Sequence, residues 1–325
     1  MIAKRLGAII IAVVLISGAW LIRDRVIDDR GGSGDDGDAP RAGGEIVCVT
    51  DLRDACMALD RERDDLEVRI EDAGTTLDAL AALDDVADAP MWITVAPFPA
   101  MVDDLRKAAR KEPLGTEQIG VASAPIALVV LDDRASVLTA ACGDPLDWEC
   151  VGEAAGNSWV EIGGQESWRD VRPAFAPIDS AIGLLGTADA VVGYFGASPI
   201  QIEDPDFVSW ARRLARAVPA SALSGGTPIS TIQTRASALD IAVGATAELS
   251  DTSGATLTPQ YAEPMIRADV LVAVPENASA PSGIIDDLGR LLVTEGPWDP
   301  ASADPNPLPS AREMLAIREA WKDFS

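Results

Sequence analysis

The sequence predicts an α/β fold on a largely parallel sheet, preceded by a membrane-spanning helix. Three observations carry that expectation. Strand-like and helix-like segments alternate as β-α-β-α-β-α between Ile46 and Ala109, which is the pattern of strands joined by crossover helices. Two further apolar runs, Ala122–Leu131 and Ala268–Pro275, read as buried strands. The chain also opens with Lys4-Arg5 ahead of an uncharged, mostly apolar run from Leu6 to Ile22, closed by Arg23-Asp24-Arg25.

That opening run lies at the short end of the roughly 17–25 residues that cross a hydrocarbon core as a helix. Basic residues ahead of it favour a cytoplasmic N-terminus, although Arg23 and Arg25 on the far side weaken the asymmetry. The small residues Ser17-Gly18-Ala19 are followed by Trp20-Leu21-Ile22, which continues the apolar stretch. An uncleaved signal anchor over 1–25 is therefore expected in preference to a cleaved signal peptide. The first cysteine, Cys48, lies too far downstream for a lipoprotein. Residues 26–44 are rich in Gly and Asp, with no large apolar residue after Ile27, and read as an acidic tether. The expected location is the cell membrane, single-pass, with the C-terminal domain outside the cytoplasm.

Composition narrows the function. Of 325 residues, 48% are apolar and mean hydropathy is slightly positive, so a sizeable core is expected, with length enough for two lobes. The formal charge of −26 argues against nucleic acid as a partner, because phosphate backbones require Lys and Arg. Histidine is absent. Ser-His-Asp and Cys-His catalysis and histidine-ligated metal sites go with it. A carboxylate or Ser-Lys hydrolase remains conceivable, but no compact arrangement of that kind stands out. Asp84-Asp85, Asp103-Asp104 and Asp286-Asp287 read as solvated helix faces. Neither an enzyme, a metal site nor a cofactor is expected.

The cysteines fall in two local pairs with the same spacing, Cys48/Cys56 and Cys142/Cys150. Four cysteines allow more than one connectivity. Outside the cytoplasm the local pairing 48–56 and 142–150 is expected, as two structural staples.

The elements follow in order. Ile46–Val49 reads as a strand, Asp51 as the cap of a helix reaching about Arg63, and Leu66–Ile70 as a strand. Thr75 opens a helix to about Leu83, Met91–Val95 is a strand, and Pro99 starts a helix with Met101, Val102, Leu105, Ala108 and Ala109 on one stripe. The turn after the first strand, Val49-Thr50-Asp51-Leu52, lacks the Gly-rich cradle of dinucleotide or NTP sites. After Ala122–Leu131 come a short strand near Ser158–Ile162 and a helix that Ser180 caps, apolar nearly all round to Phe195. Phe207, Trp210, Leu214 and Val218 form an amphipathic stripe; Thr227–Thr231 opens a short helix and Leu239–Val243 is a strand. Pro281–Glu295 is a helix, and Ser310-Ala-Arg-Glu313 is a capping box for the last one.

This layout resembles the type II solute-binding proteins of ABC importers, the periplasmic-binding fold, most of all the molybdate- and sulfate-type receptors. The resemblance spans about Glu45 to Ser325. It rests on the strand after a leader, the mid-chain strand Pro125–Val130, the helix start Pro177-Ile-Asp-Ser180 and the late strand Ala268–Val274. It implies lobe 1 from 45–122 plus 262–325, lobe 2 from 123–261, and hinge strands near Val121–Pro125 and Tyr261–Val270. It further implies capture of a small polar or anionic ligand in the inter-lobe cleft, for an ABC-type permease or a sensor. Candidate contacts are Thr50 and Asp51 after the first strand, Phe98 after the third, Ser123 at the hinge, Ser180 and Ala181 at a helix start, and Thr231 at another. N-capping accounts equally well for Ser180 and Thr231, whereas an ordinary turn is the favoured alternative for Ser123 and core packing for Phe98. Arg235 and Arg267 are the basic residues nearest to suggestive positions. A ligand-free scaffold that binds an envelope protein is the competing reading.

Overall fold

A computed structural model describes residues 45–218, 223, 226–249, 256–276 and 278–324. The anchor and tether expected over 1–25 and 26–44 lie outside the described residues. Among the described residues no helix is long and apolar enough to cross a membrane.

The strands are β1 (Glu45–Val49), β2 (Glu67–Glu71), β3 (Met91–Val95), β4 (Thr116–Leu131), β5 (Pro173–Phe175), β6 (Ile241–Ala245), β7 (Leu257–Gln260), β8 (Arg267–Pro275) and β9 (Asp299–Pro300). They order as β2-β1-β3-β8-β4-β6-β5, with β7 and β9 also on β4. β1 pairs in parallel with β2 and β3, and β5 with β6. β8 runs antiparallel to β3 and β4, and β6 antiparallel to β4, so the sheet is mixed rather than all parallel. β4 holds it together. Thr116–Pro125 pairs with β8, across an irregularity between Gly120 and Ala122, and Ile126–Val130 pairs with β6. Period-two alternation then splits the far half of β4 between two cores: Leu128 and Val130 join the main one, whereas Ala127, Val129 and Leu131 join a smaller one with Ile229 and Ile232.

The helices are α1 (Arg53–Glu62), α2 (Ala73–Ala82), α3 (Phe98–Ala108), α4 (Asp132–Cys142), α5 (Trp148–Ala154), α6 (Ala181–Phe195), α7 (Pro205–Arg216), α8 (Pro228–Thr234), α9 (Ile284–Gly289) and α10 (Ala311–Phe324). α6 is buried from Ala181 to Val191, as its apolar circumference predicts. The Ser310–Glu313 box forms: the Ser310 N–H donates to Glu313 Oε2 at 2.8 Å, and the Glu313 N–H donates to Ser310 Oγ at 3.3 Å. Both expected disulfides are present, Cys48–Cys56 and Cys142–Cys150, each with a sequence separation of 8. Closing loops this short contributes about 2–3 kcal/mol apiece on the chain-entropy account.

Three local expectations are corrected. Ser158–Ile162 is no strand: Trp159–Ile162 forms a 3-10 turn, because the Ser158 hydroxyl accepts the Val160 N–H and caps it. The stripe of α3 does not extend to Ala108 and Ala109, which are exposed; Arg106 turns inward instead, fully buried. Its guanidinium donates to the carbonyls of Leu80, Leu83 and Glu112 at 2.9, 2.8 and 2.6 Å, so it serves the carbonyls at the end of α2, which have no helical partner, and one in the loop after α3. The helix expected over Pro281–Glu295 is α9, continued by a π-turn over Arg290–Thr294.

Asp189 is the polar exception within α6. It is buried and accepts the Trp148 indole N–H at 2.9 Å. Burial raises its carboxyl from 3.8 to about 7, against the opposing pull of the Trp148 and Ile266 N–H groups. Between about pH 4 and 7 the folded chain keeps a proton that the unfolded chain has lost. Its contribution to stability is therefore full in acid and falls as pH rises through 7. Asp189→Asn keeps an acceptor for Trp148 and removes the titration. It should flatten the decline of stability between pH 4 and 7 and gain about 1 kcal/mol at pH 8, read by urea denaturation across pH; an unchanged slope would refute it.

Candidate functional site

β1 delivers the chain to a 3-10 turn over Thr50–Leu52, and the disulfide from Cys48 to Cys56 ties β1 to α1 across that turn. Asp51 was expected to cap the helix after it. It does not: α1 starts without a side-chain cap. Asp51 reaches across to α6 instead, where its carboxylate accepts the N–H of Ala181 at 2.8 Å and of Ile182 at 3.3 Å. A helix N-terminus offers unsatisfied amides and a positive dipole end, and a carboxylate of the chain itself takes the place an anion would fill. Burial raises the Asp51 pKa, with the two amides and the charge of Asp72 as smaller influences. Thr50 is spent close by, its hydroxyl donating to Asp72 Oδ1 at 2.8 Å.

Other contacts join the same two sides. The Gly74 N–H in α2 donates to the Asp179 carbonyl at 2.8 Å. Arg318 of α10, buried, donates to Asp78 and Asp179 at 2.8 Å and to the Gly74 carbonyl at 3.3 Å.

Beside Asp51 lies a cavity of about 610 Å³, within the size range of small-molecule sites. One wall is Thr50–Ala55 with Ala58; another is Leu291, Leu292 and Glu295–Trp298; the third is Thr227, Ser230, Ala247 and Glu248, on the β6 side. Glu248 follows β6 by three residues. Its Oε1 accepts the Ala245 N–H at 3.3 Å, while Oε2 is buried with no hydrogen-bond partner. Burial lifts its carboxyl from 4.5 to about 7; the charge of Asp51 adds to the rise, and the Thr227 hydroxyl and the Ala245 N–H oppose it. Gly244 makes room for this carboxylate, since a Cβ there would stand 2.8 Å from Glu248 Oε1 and 2.9 Å from Ile229 Cδ1.

The seven candidate residues divide accordingly. Thr50 and Asp51 line the cavity, and Ala181 meets Asp51. Ser180 works as an N-cap, accepting the Gly183 N–H at 3.0 Å and donating to the Pro177 carbonyl at 2.8 Å, which leaves it committed to the turn. Phe98 is corrected to a core residue: it is fully buried and meets Trp92 edge-on with centroids 6.0 Å apart. Ser123 is likewise buried, donating to Asp269 Oδ1 at 2.7 Å where β4 and β8 pair. Thr231 is buried behind the cavity, and its neighbours Thr227 and Ser230 do the lining. Sequence reasoning missed Glu248 and Trp298. A Glu three residues past the end of β6 was the one available signal for the former, since it can reach back to the strand end.

No family model matches the chain, and no curated protein matches it. Solved structures do. A ferric binding protein from Campylobacter jejuni superposes with a TM-score of 0.52 at 10% identity, over 86% of this chain and 96% of that one. A periplasmic thiamin binding protein gives 0.52 at 12%, over 90% and 98%. The periplasmic binding protein AfuA from Actinobacillus pleuropneumoniae, with fructose-6-phosphate bound, gives 0.52 at 14%, over 86% and 98%. The fold is that of the periplasmic binding proteins. In open α/β sheets ligands sit beyond the strand ends at a switch in strand order. In this periplasmic-binding fold the cavity lies beyond the ends of β1 and β6, in keeping with that rule.

Proposed function

We propose that the chain is a membrane-anchored extracytoplasmic solute-binding protein. It takes a small polar ligand in the cavity beside Asp51 and presents it to an ABC-type permease or a sensor. The observation that carries this reading is the cavity itself, walled by residues after β1 on one side and after β6 on the other, in a chain with the periplasmic-binding fold. On this reading 45–122 plus 262–325 and 123–261 are two lobes that hinge through β4 and β8. Residues 1–25 anchor the protein and 26–44 hold it off the bilayer; the apolar opening run and the two disulfides support an oxidising, extracytoplasmic setting. Specificity would come from side chains and from hydroxyls such as those of Thr227 and Ser230, with no chemistry performed. The narrower expectation of an oxyanion receptor loses support, because the α6 amides already serve Asp51.

A scaffold with a closed cleft is the second reading, favoured by the Asp51–α6, Gly74–Asp179 and Arg318 ties across the cleft. Melting the full-length chain against a broad library of sugars, amino acids, oxyanions, amines and vitamins separates the two. A true ligand at a hundredfold over its Kd stabilises by about 2.7 kcal/mol, a rise of roughly 5–10 °C. A library that produces no shift at all would favour the scaffold.

A further inference from the structure

We infer that the ligand of this cavity is a small organic cation, held between Asp51 and Glu248 and covered by Trp298. The inference rests on the solute-binding reading and names its substrate class. Two acidic residues from opposite walls border one cavity; of the Glu248 carboxyl oxygens, Oε1 takes the Ala245 N–H, and Oε2, buried beside the cavity, has no hydrogen-bond partner. Burying an unpaired carboxylate oxygen is costly; a cationic N–H removes the cost by hydrogen bonding, and a quaternary ammonium offsets it through its charge alone. Around the pair, Asp54 and Glu295 are further acids; Arg53 is the basic residue of the lining, exposed on α1, and Thr227, which caps α8, and Ser230 within it are neutral. An anion would meet the same carboxylates as repulsion.

The remaining wall suits an organic cation. Leu291, Leu292 and Trp298 give an apolar and aromatic surface, which suits an alkylammonium or a heteroaromatic cation. Among the described residues no group of three Asp, Glu or Cys side chains is placed to hold a metal ion. The −26 charge of the chain adds long-range attraction for positive solutes.

A bound cation needs Glu248 ionised, so binding weakens as pH falls through about 7, where Glu248 titrates. The test is calorimetric titration of the full-length chain with choline, putrescine and thiamin, and in parallel with glucose, sulfate, phosphate and ferric citrate. At least one of the three organic cations should bind, with a Kd about tenfold higher at pH 6 than at pH 8. Glu248→Gln should weaken it roughly tenfold or more at pH 8 and abolish the pH dependence. The wild-type pH profile carries the test should that variant fail to fold. Binding of sugar, oxyanion or iron without any organic cation would overturn the inference and leave the solute-binding reading standing. Silence from every probe overturns the cation inference, and the wider melting library then decides the solute-binding reading. Cation binding insensitive to both pH and Glu248→Gln would also overturn it.

Discussion

Gly183→Ala is expected to cost about 3 kcal/mol, a fall in melting temperature of roughly 6–12 °C for a domain of this size. Gly183 lies in the first turn of α6, where the chain doubles back on the segment that leads into the helix. A Cβ at this position would stand 2.0 Å from the Pro177 carbonyl oxygen and 2.7 Å from that of Ala176. Both obstacles are backbone, so no side-chain rotation relieves the clash. The segment 176–178 or the start of α6 must move. Either shift disturbs the Ser180 cap, whose hydroxyl contacts both the Gly183 N–H and the Pro177 carbonyl, and pulls the Ala181 and Ile182 amides from Asp51. The loss should therefore reach the cavity beside Asp51 as well as the melting curve. Gly120→Ala is the control, because the nearest atom to its added Cβ is Ala301 Cβ at 3.5 Å, an ordinary contact. Chemical denaturation of both variants settles it: equal stabilities would show that the doubled-back entry to α6 is slack.

The contrast between Ser180 and Asp51 shows what was legible in the sequence. A Ser at the head of an apolar run signals an N-cap through purely local geometry, and the cap forms as expected. Asp51 carries the same local signal, yet its partners lie 130 and 131 residues away. No periodicity encodes that distance. The strands β1, β3 and β8 were readable because they are nearly continuous apolar runs, buried along most of their length. β5 and β7, of three and four residues, are too short to show a period. The start of α4 carries no spacer to announce it: Asp132-Asp133 follow the apolar run of β4 directly and form the first turn of the next helix. For the site, the residues after β1 were found because strand ends are where ligands bind in such sheets. Glu248 was missed because its role depends on burial, which a lone Glu past a strand does not announce.

Arg318→Ala is expected to cost about 2–3 kcal/mol at pH 7, by undoing the contact that joins the last helix to α2 and to Asp179 ahead of α6. Arg318 has 4% of its side chain exposed, whereas Asp78 and Asp179 are 57% and 44% exposed. The guanidinium grips Asp78 with two nitrogens at 2.8 Å, Asp179 with a third, and the Gly74 carbonyl as well. Because both carboxylates can return to water, the loss should fall below the 3–5 kcal/mol, roughly, of breaking a fully buried pair. Most of it comes from the packed stem, the forked geometry and the Gly74 carbonyl. Arg318→Lys keeps the charge but cannot make the fork, so it should recover less than half of the loss. The pH dependence tells the ion pair from mere packing. Arg318 holds the Asp78 carboxyl below its ordinary 3.8, so this part of the stability is present above about pH 4 and is lost as pH falls through the depressed value. The gap between wild type and Arg318→Ala should therefore narrow below pH 4, in denaturant melts run from pH 7 to pH 3. A gap that stays constant would mean that Arg318 acts through its bulk alone, and that its carboxylate partners do not tie α10 to α2 and to the approach to α6.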